Sequence, residues 1–435
     1  MRGSAAPERF ARGKRPGQMD KFIIRGGKPL RGTIATGGSK NAALPILIAS
    51  LLTDEPCVVR RVPRLRDIVT TLRLLEFLGK RVVQDNASVR IYSRKGLKTQ
   101  APYDLVKQMR ASVLVVGPLL ARFGGVRVPL PGGCAIGLRP IDLHLKGFEQ
   151  MGAKVSLERG DAVMSARRLH AARIPLRFAS VGATENLLMA ASLLEGGTTI
   201  ENAAREPEIA DLAVFLRSMG AQIEGEGTRR ICVRGRRVLR GAEHEVIADR
   251  IEAGTFLIAC AATRGSVFLK GARPGHLRNV LKKLQEAGCK VQASSAGIGL
   301  SAAGRPDPVD ITTQPYPGFP TDLQAPWMAL MSLAKGQSMI RERIFEKRFL
   351  HAGELARLGA RLSVDGDMVC TDGVGKFSGA LVMASDIRAG AALLVAGLAA
   401  GGKTEISRVY HIDRGYEAVE KKLRRLGADI IRVKS

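Results

Sequence analysis

Charged residues stand where five of the apolar helical stretches of this sequence begin, Lys40 with Asn41, Arg110, Asp249 with Arg250, Asp322, and Asp386 with Arg388, and the small residues Ser180-Val181-Gly182 stand at the sixth. A helix start presents unpaired N–H groups and a partial positive charge, which makes it a ready anion site. Ser39, Thr184 and Asp322 are good N-cap types, and ordinary capping accounts for them. It does not account for Lys40, Arg110, Arg250 and Arg388 beside the caps. Should the fold turn these starts toward one cleft, the field there draws in phosphates and carboxylates.

A second chemical signal is the segment Pro131-Gly132-Gly133-Cys134-Ala135-Ile136-Gly137-Leu138-Arg139-Pro140. Glycines and prolines around one cysteine describe a mobile loop on a fixed base, as an active-site lid needs. A thiol with Arg139 nearby suits a lowered pKa and a role as acid, base or nucleophile. The other cysteines, Cys57, Cys232, Cys260, Cys289 and Cys370, are expected to be buried small apolar residues. No cysteine spacing suggests zinc or a disulfide framework, which fits a reducing cytoplasm.

The elements that must position these groups repeat. A glycine preceded by an amphipathic helix recurs at Gly79, Gly152, Gly220, Gly288, Gly359 and Gly427, at intervals of about 70 residues. Four positions earlier stand Leu75, Phe148, Leu216, Leu284, Leu355 and Leu423, on the same helical face as the residue just before each glycine. Each glycine suits the left-handed position that ends a helix. Upstream in each unit the pattern predicts a small-residue apolar helix, over 41–52, 111–123, 184–194, 253–263, 322–334 and 388–400, and then a β-rich run. The class is therefore α/β, with six pseudo-repeats that cannot bury both faces alone.

Length and charge agree with that plan. At 435 residues the chain exceeds one ordinary core. The apolar run 389–402 is too short and glycine-rich to span a membrane, so no membrane partner is expected. Net charge is +28, and residues 1–18, rich in arginine and lacking apolar periodicity, read as a disordered basic tail. The surplus favours nucleic acid or anionic small substrates. With aromatics at 4% and no basic–aromatic motif, nucleic acid is not expected.

Several segments together resemble a known family, the UDP-N-acetylglucosamine 1-carboxyvinyltransferases. They are 37–45 (GGSKNAALP), 131–139 with Asp142, 180–186 (SVGATEN), 201–209 (ENAAREPEI), 249–252 (DRIE), 319–322 (FPTD) and 410–417 (YHIDRGYE). The resemblance runs from Met19 to the C-terminus. It implies an inside-out α/β barrel of two lobes, each of three βαβαββ-type units: residues 40–247 in one, 19–39 plus 248–435 in the other. The implied reaction moves the enolpyruvyl group of phosphoenolpyruvate to the 3′-hydroxyl of UDP-N-acetylglucosamine and releases phosphate, without cofactor or metal.

The resemblance also implies roles. Lys40, Asn41, Arg110, Arg139, Arg388 and Arg414 would hold phosphoenolpyruvate, arginine supplying forked oxyanion contacts and lysine a point charge. Cys134 would be the proton donor and the site alkylated by fosfomycin; Asp322 would be the base. The nucleotide sugar would meet Asn41, Arg110, Arg139, Pro140, Ile141, Asp142, Leu143, Phe178, Ala179, Ser180, Val181, Gly182, Asp322 and Ile344. Phe178 departs from relatives that carry lysine there. His144, His351 and His411 are expected to be structural or substrate-lining. The sister enzymes acting on shikimate 3-phosphate share the fold but lack a lid cysteine.

Overall fold

The computed structural model of the chain describes residues 20–94, 96–130, 141–346 and 348–434. Within it each unit pairs an inner helix with an outer one: α1 (Lys40–Ala49) with α2 (Arg66–Leu78), α3 (Val116–Phe123) with α4 (Asp142–Gln150), and α5 (Val181–Ala191) with α6 (Pro207–Ser218). The pattern continues with α7 (Arg250–Ala262) and α8 (Arg278–Glu286), α9 (Gln324–Met331) and α10 (Ala352–Arg357), and α11 (Ile387–Ala399) and α12 (Val419–Arg425). The inner helices are apolar nearly all round and buried on most faces; in α1 only Asn41 escapes burial. The outer helices are amphipathic, as in α8, which buries Val280, Leu281 and Leu284.

The glycines at the ends of the outer helices all take positive φ: Gly79 111°, Gly152 92°, Gly220 114°, Gly288 88°, Gly359 97° and Gly427 90°. An L-residue is strained there, so glycine is the natural stop. The apolar residues four positions earlier are buried in every unit.

Each unit contributes one sheet. Five sheets have four strands: an edge strand parallel to its neighbour, followed by two antiparallel pairings. In the unit of α7 the order is Lys290–Ser294, Gly297–Ser301, Ser266–Lys270 and Arg31–Ala35. The unit of α3 has three strands, and a single parallel bridge, Gln100 to Arg127, stands in for the fourth.

Two hydrophobic cores result. One gathers side chains from 42–247; the other gathers 22–34 with 251–430. Strand Lys21–Arg25 lies between Lys403–Ser407 and Asp429–Val433, with Ile23 opposite both Glu405 and Ile431. The chain passes between the cores twice, and the two crossings pair: Ser39 N donates to Ile247 O at 2.8 Å and Asp249 N to Gly37 O at 2.9 Å. Gly38 is required there, since a Cβ would stand 1.8 Å from the Arg61 carbonyl oxygen.

Two expected helices begin later than their sequence pattern. Residues 110–115 and 321–323 are 3₁₀ turns that become α3 and α9. Each α-helix starts two residues before a proline, Pro118 or Pro326, which lacks the N–H an interior position must donate. The cysteines also divide differently from expectation. Cys57, Cys260 and Cys289 are buried, but Cys232 is half-buried and Cys370 exposed, because strand Met368–Asp372 turns Val369 and Thr371 inward. Among the described residues no helix is long and apolar enough to cross a membrane.

Candidate active site

A cavity of about 820 Å³ opens between the two cores, within the size range of small-ligand sites. The start of α1 contributes Asn41 and Pro45 to its wall. Proline inside α1 cannot donate to the carbonyl four residues back, so that of Asn41 lacks its usual helical donor. Ser180 caps α5, accepting from Ala183 N at 3.3 Å. The α5 start lines the cavity with Ser180, Val181 and Gly182.

Capping accounts for less than the sequence pattern suggested. Ser39 does cap α1, and Asp249 and Asp386 cap α7 and α11. Thr184 does not cap α5; its hydroxyl accepts from Ala204 N at 3.0 Å. Asp322 does not cap α9 either, since a 3₁₀ turn intervenes. Its Oδ1 lies 2.7 Å from Arg348 Nη2 and its Oδ2 2.7 Å from Arg388 Nη2. Burial alone would raise this carboxyl's pKa, but the Arg388 and Arg348 guanidiniums outweigh it and hold the group well below the usual carboxylate range.

Arg388, buried, donates also to Tyr416 Oη at 3.2 Å, and Tyr416 Oη meets Thr255 Oγ1 at 2.9 Å. Beside this cluster, Lys40 Nζ lies 3.2 Å from Asp67 Oδ2, and Arg414 Nε lies 2.9 Å from Asp67 Oδ1. Burial lowers the Lys40 pKa; Asp67 opposes that shift, Arg388 adds to it and Asp322 opposes it again. The two clusters therefore share one electrostatic field. The Lys40 backbone N–H points to Asp249 Oδ2 at 3.3 Å, so the cap of α7 helps to set the start of α1.

The other end of the cavity is tied by neutral and acidic groups. Asn186 Nδ2 donates to Val113 O and to His144 Nδ1, both at 3.0 Å, and its Oδ1 accepts from Gly117 N at 2.6 Å. His144 Nδ1 then accepts, which assigns the ring proton to Nε2. Burial pushes the His144 pKa down to about 4, so the ring is neutral. Glu342 accepts from Thr313 Oγ1, Thr321 Oγ1 and Ile344 N, each at 2.8 Å, and from Phe345 N at 3.1 Å; this folds Ile344 against the cavity. Arg250 Nε meets Glu208 at 3.0 and 3.2 Å, linking α7 to α6 across the cores. Glu185 and Glu206 line the cavity nearby, and burial raises the pKa of both.

Of the sequence-predicted residues, Asn41, Arg110, Ile141, Leu143, Phe178, Ala179, Ser180, Val181, Gly182, Asp322 and Ile344 line the cavity. Lys40, Arg388 and Arg414 stand in the adjoining ion-pair clusters. Asp142 is not in the cavity wall; its carboxylate pairs with Arg177. Cys134, Arg139 and Pro140 lie outside the described residues. His144 lines the cavity, whereas His351 is buried in the second core's α10 start. Among the described residues, no three His, Cys, Asp or Glu side chains are placed to hold a metal ion. Sequence reasoning missed Asp67, Arg348, Glu342 and the Glu185–Glu206–Glu208 group. Glu206 and Glu208 sit in the quoted 201–209 motif, which was the available signal; Asp67 and Glu342 carried none.

The two-core, six-unit fold is that of the enolpyruvyl transferases. The enolpyruvyl transferase NikO from Streptomyces tendae superposes with a TM-score of 0.86 at 25% identity, covering 97% of this chain and 100% of that one. An EPSP synthase from Acinetobacter baumannii, at 20% identity, shares the fold with a TM-score of 0.71 over 95% of this chain and 100% of its own. Residues 24–423 match the family described as EPSP synthase (3-phosphoshikimate 1-carboxyvinyltransferase). Proteins named UDP-N-acetylglucosamine 1-carboxyvinyltransferase from Elusimicrobium minutum and Granulibacter bethesdensis are 54% and 55% identical, each over 95% of this chain and 99% and 100% of their own length. The chain belongs to the UDP-N-acetylglucosamine 1-carboxyvinyltransferase branch of this family.

Proposed function

We propose that this chain transfers the enolpyruvyl group of phosphoenolpyruvate to the 3′-hydroxyl of UDP-N-acetylglucosamine with release of phosphate, the first committed step of peptidoglycan precursor synthesis. One observation carries the reading: a carboxylate held ionised by two guanidiniums stands where a cationic cluster meets a cavity of nucleotide-sugar size. In this reading Lys40, Arg388 and Arg414, with Arg110 and Arg139, hold the phosphate and carboxylate of phosphoenolpyruvate. The α5 start, Phe178, Leu143 and Ile344 hold the nucleotide sugar. Residues 40–247 form one lobe and 19–39 plus 248–435 the other, supported by the two cores.

The sugar's hydroxyl oxygen bonds to C2 of the enolpyruvyl group while the methylene carbon takes a proton from Cys134 and Asp322 accepts the hydroxyl proton. The tetrahedral adduct then breaks its C2–O bond to phosphate, and the methyl carbon loses a proton to restore the double bond. Preorganised cations stabilise the charge that builds on the way. We place the reaction in the cytoplasm, where free cysteines are at home.

Phosphate release with phosphoenolpyruvate and UDP-N-acetylglucosamine, and shikimate 3-phosphate as the control acceptor, tests the reading. Release with the nucleotide sugar alone is expected. Release with shikimate 3-phosphate instead would overturn it.

A further inference from the structure

Asp67 is the second residue of α2, and it joins three separate elements: α2, the start of α1 through Lys40, and the turn Val409–Arg414 of the other core. Its side chain is 7% exposed, that of Lys40 10% and that of Arg414 34%. The first turn of a helix favours a carboxylate as the anion. The donors it uses are informative. An ammonium has three and a guanidinium five; Asp67 takes one from Lys40 and only Nε from Arg414. Among the described residues the Arg414 Nη1–Nη2 fork and the remaining Lys40 donors have no protein hydrogen-bond partner.

We propose that Asp67 is a positioning residue: by bridging the Lys40 ammonium and the Arg414 guanidinium on one side, it aims their remaining donors together at one phosphate-sized anion. A simple tie between the cores would not require the carboxylate to share itself between these two cations. Asp67 has a second effect. Lys40 is faced by Asp67, Asp322 and Arg388, and its burial favours the neutral amine, so Asp67 helps to keep the ammonium charged. Arg414 is faced by Asp67 and by His411 of its own turn.

The inference rests on the proposed use of phosphoenolpyruvate. The test compares wild type with Asp67→Asn and Asp67→Glu in phosphate-release kinetics across pH, with thermal melts as the fold control. For Asp67→Asn, the KM for phosphoenolpyruvate is expected to rise about tenfold or more, as for loss of a charge-assisted contact. The KM for UDP-N-acetylglucosamine should stay near wild type. The alkaline limb of kcat/KM for phosphoenolpyruvate should move to lower pH, because Lys40 loses the anion that keeps it protonated. Asp67→Glu, which keeps the charge, should leave that limb in place while KM rises. If Asp67→Asn does not fold, the Asp67→Glu pair of readings decides alone. Equal rises in both KM values, or a fallen melting temperature with unchanged kinetics, would mark a merely structural tie and overturn the proposal. Absence of wild-type turnover would instead strike the proposed reaction itself.

Discussion

Arg388 Nη2 and Asp322 Oδ2 stand 2.7 Å apart, and the opposite oxygen of Asp322 is taken by Arg348 at the same distance. The two guanidiniums hold this carboxylate in its ionised form, ready to accept from a hydroxyl. Asp322→Asn should therefore lower kcat by about 10²-fold or more while both ligands still bind. Steady-state phosphate release with calorimetric titration of each ligand checks this. In wild type, no acid limb between about pH 5 and 8 should belong to Asp322; a limb in that window that vanishes in Asp322→Asn contradicts it.

Lys40→Ala and Arg414→Ala should each weaken phosphoenolpyruvate binding by about tenfold or more, as expected for charge-assisted phosphate contacts. Titrated separately, UDP-N-acetylglucosamine should bind nearly as in wild type. Loss of nucleotide-sugar binding in either variant would move these residues out of the phosphate cradle.

Glu185 carries a pH signature. In the unfolded chain it ionises near the ordinary 4.5, but in the folded protein burial, reinforced by Glu208 and Glu206, holds the proton to a higher pH. Between those two points unfolding releases a proton, so rising pH favours the unfolded state. Glu185→Gln removes that penalty. Its melting temperature relative to wild type should climb as pH rises above the ordinary glutamate range, and a flat difference would show that Glu185 is ionised in the native state.

At Gly427 a Cβ meets nothing within 4 Å, so Gly427→Ala costs only its backbone strain at φ 90°, about 1 kcal/mol. Gly38→Ala drives a Cβ into the Arg61 carbonyl where the crossings pair, and should cost several times more. Urea unfolding of both variants ranks them; equal losses would mean the crossing relaxes freely.

Fosfomycin should label Cys134 and not the buried Cys260 or Cys289. Burial pushes the Cys289 thiol up to about 11 and the Cys260 thiol up to about 12, leaving little thiolate at neutral pH. Mass spectrometry of treated wild type, Cys134→Ser and Cys289→Ser reads this directly. Undiminished labelling of Cys134→Ser would refute the assignment.

The repeat was legible because glycine at a left-handed helix end and leucine four residues earlier are both local requirements, met six times over. The cationic residues at helix starts were legible for the same reason: type and place coincide. What escaped was partnership across distance. Asp67 lies 347 residues from Arg414, and nothing near either one announces the other. Asp322 looked like a cap because aspartate before a helix usually is one; the 3₁₀ turn that Pro326 imposes moved the helix start past it. Cys370 looked buried by type, and strand alternation turned it outward.

The placement of strand Lys21–Arg25 between Lys403–Ser407 and Asp429–Val433 has a consequence for synthesis. A strand made near the start of synthesis must wait for two made near its end before it has neighbours. The core built from 42–247 has its side chains together long before then, so it can collapse first while the opening strand stays unsatisfied. Closure of so long a loop is slow, and an unpaired strand edge invites the wrong neighbour in the interval.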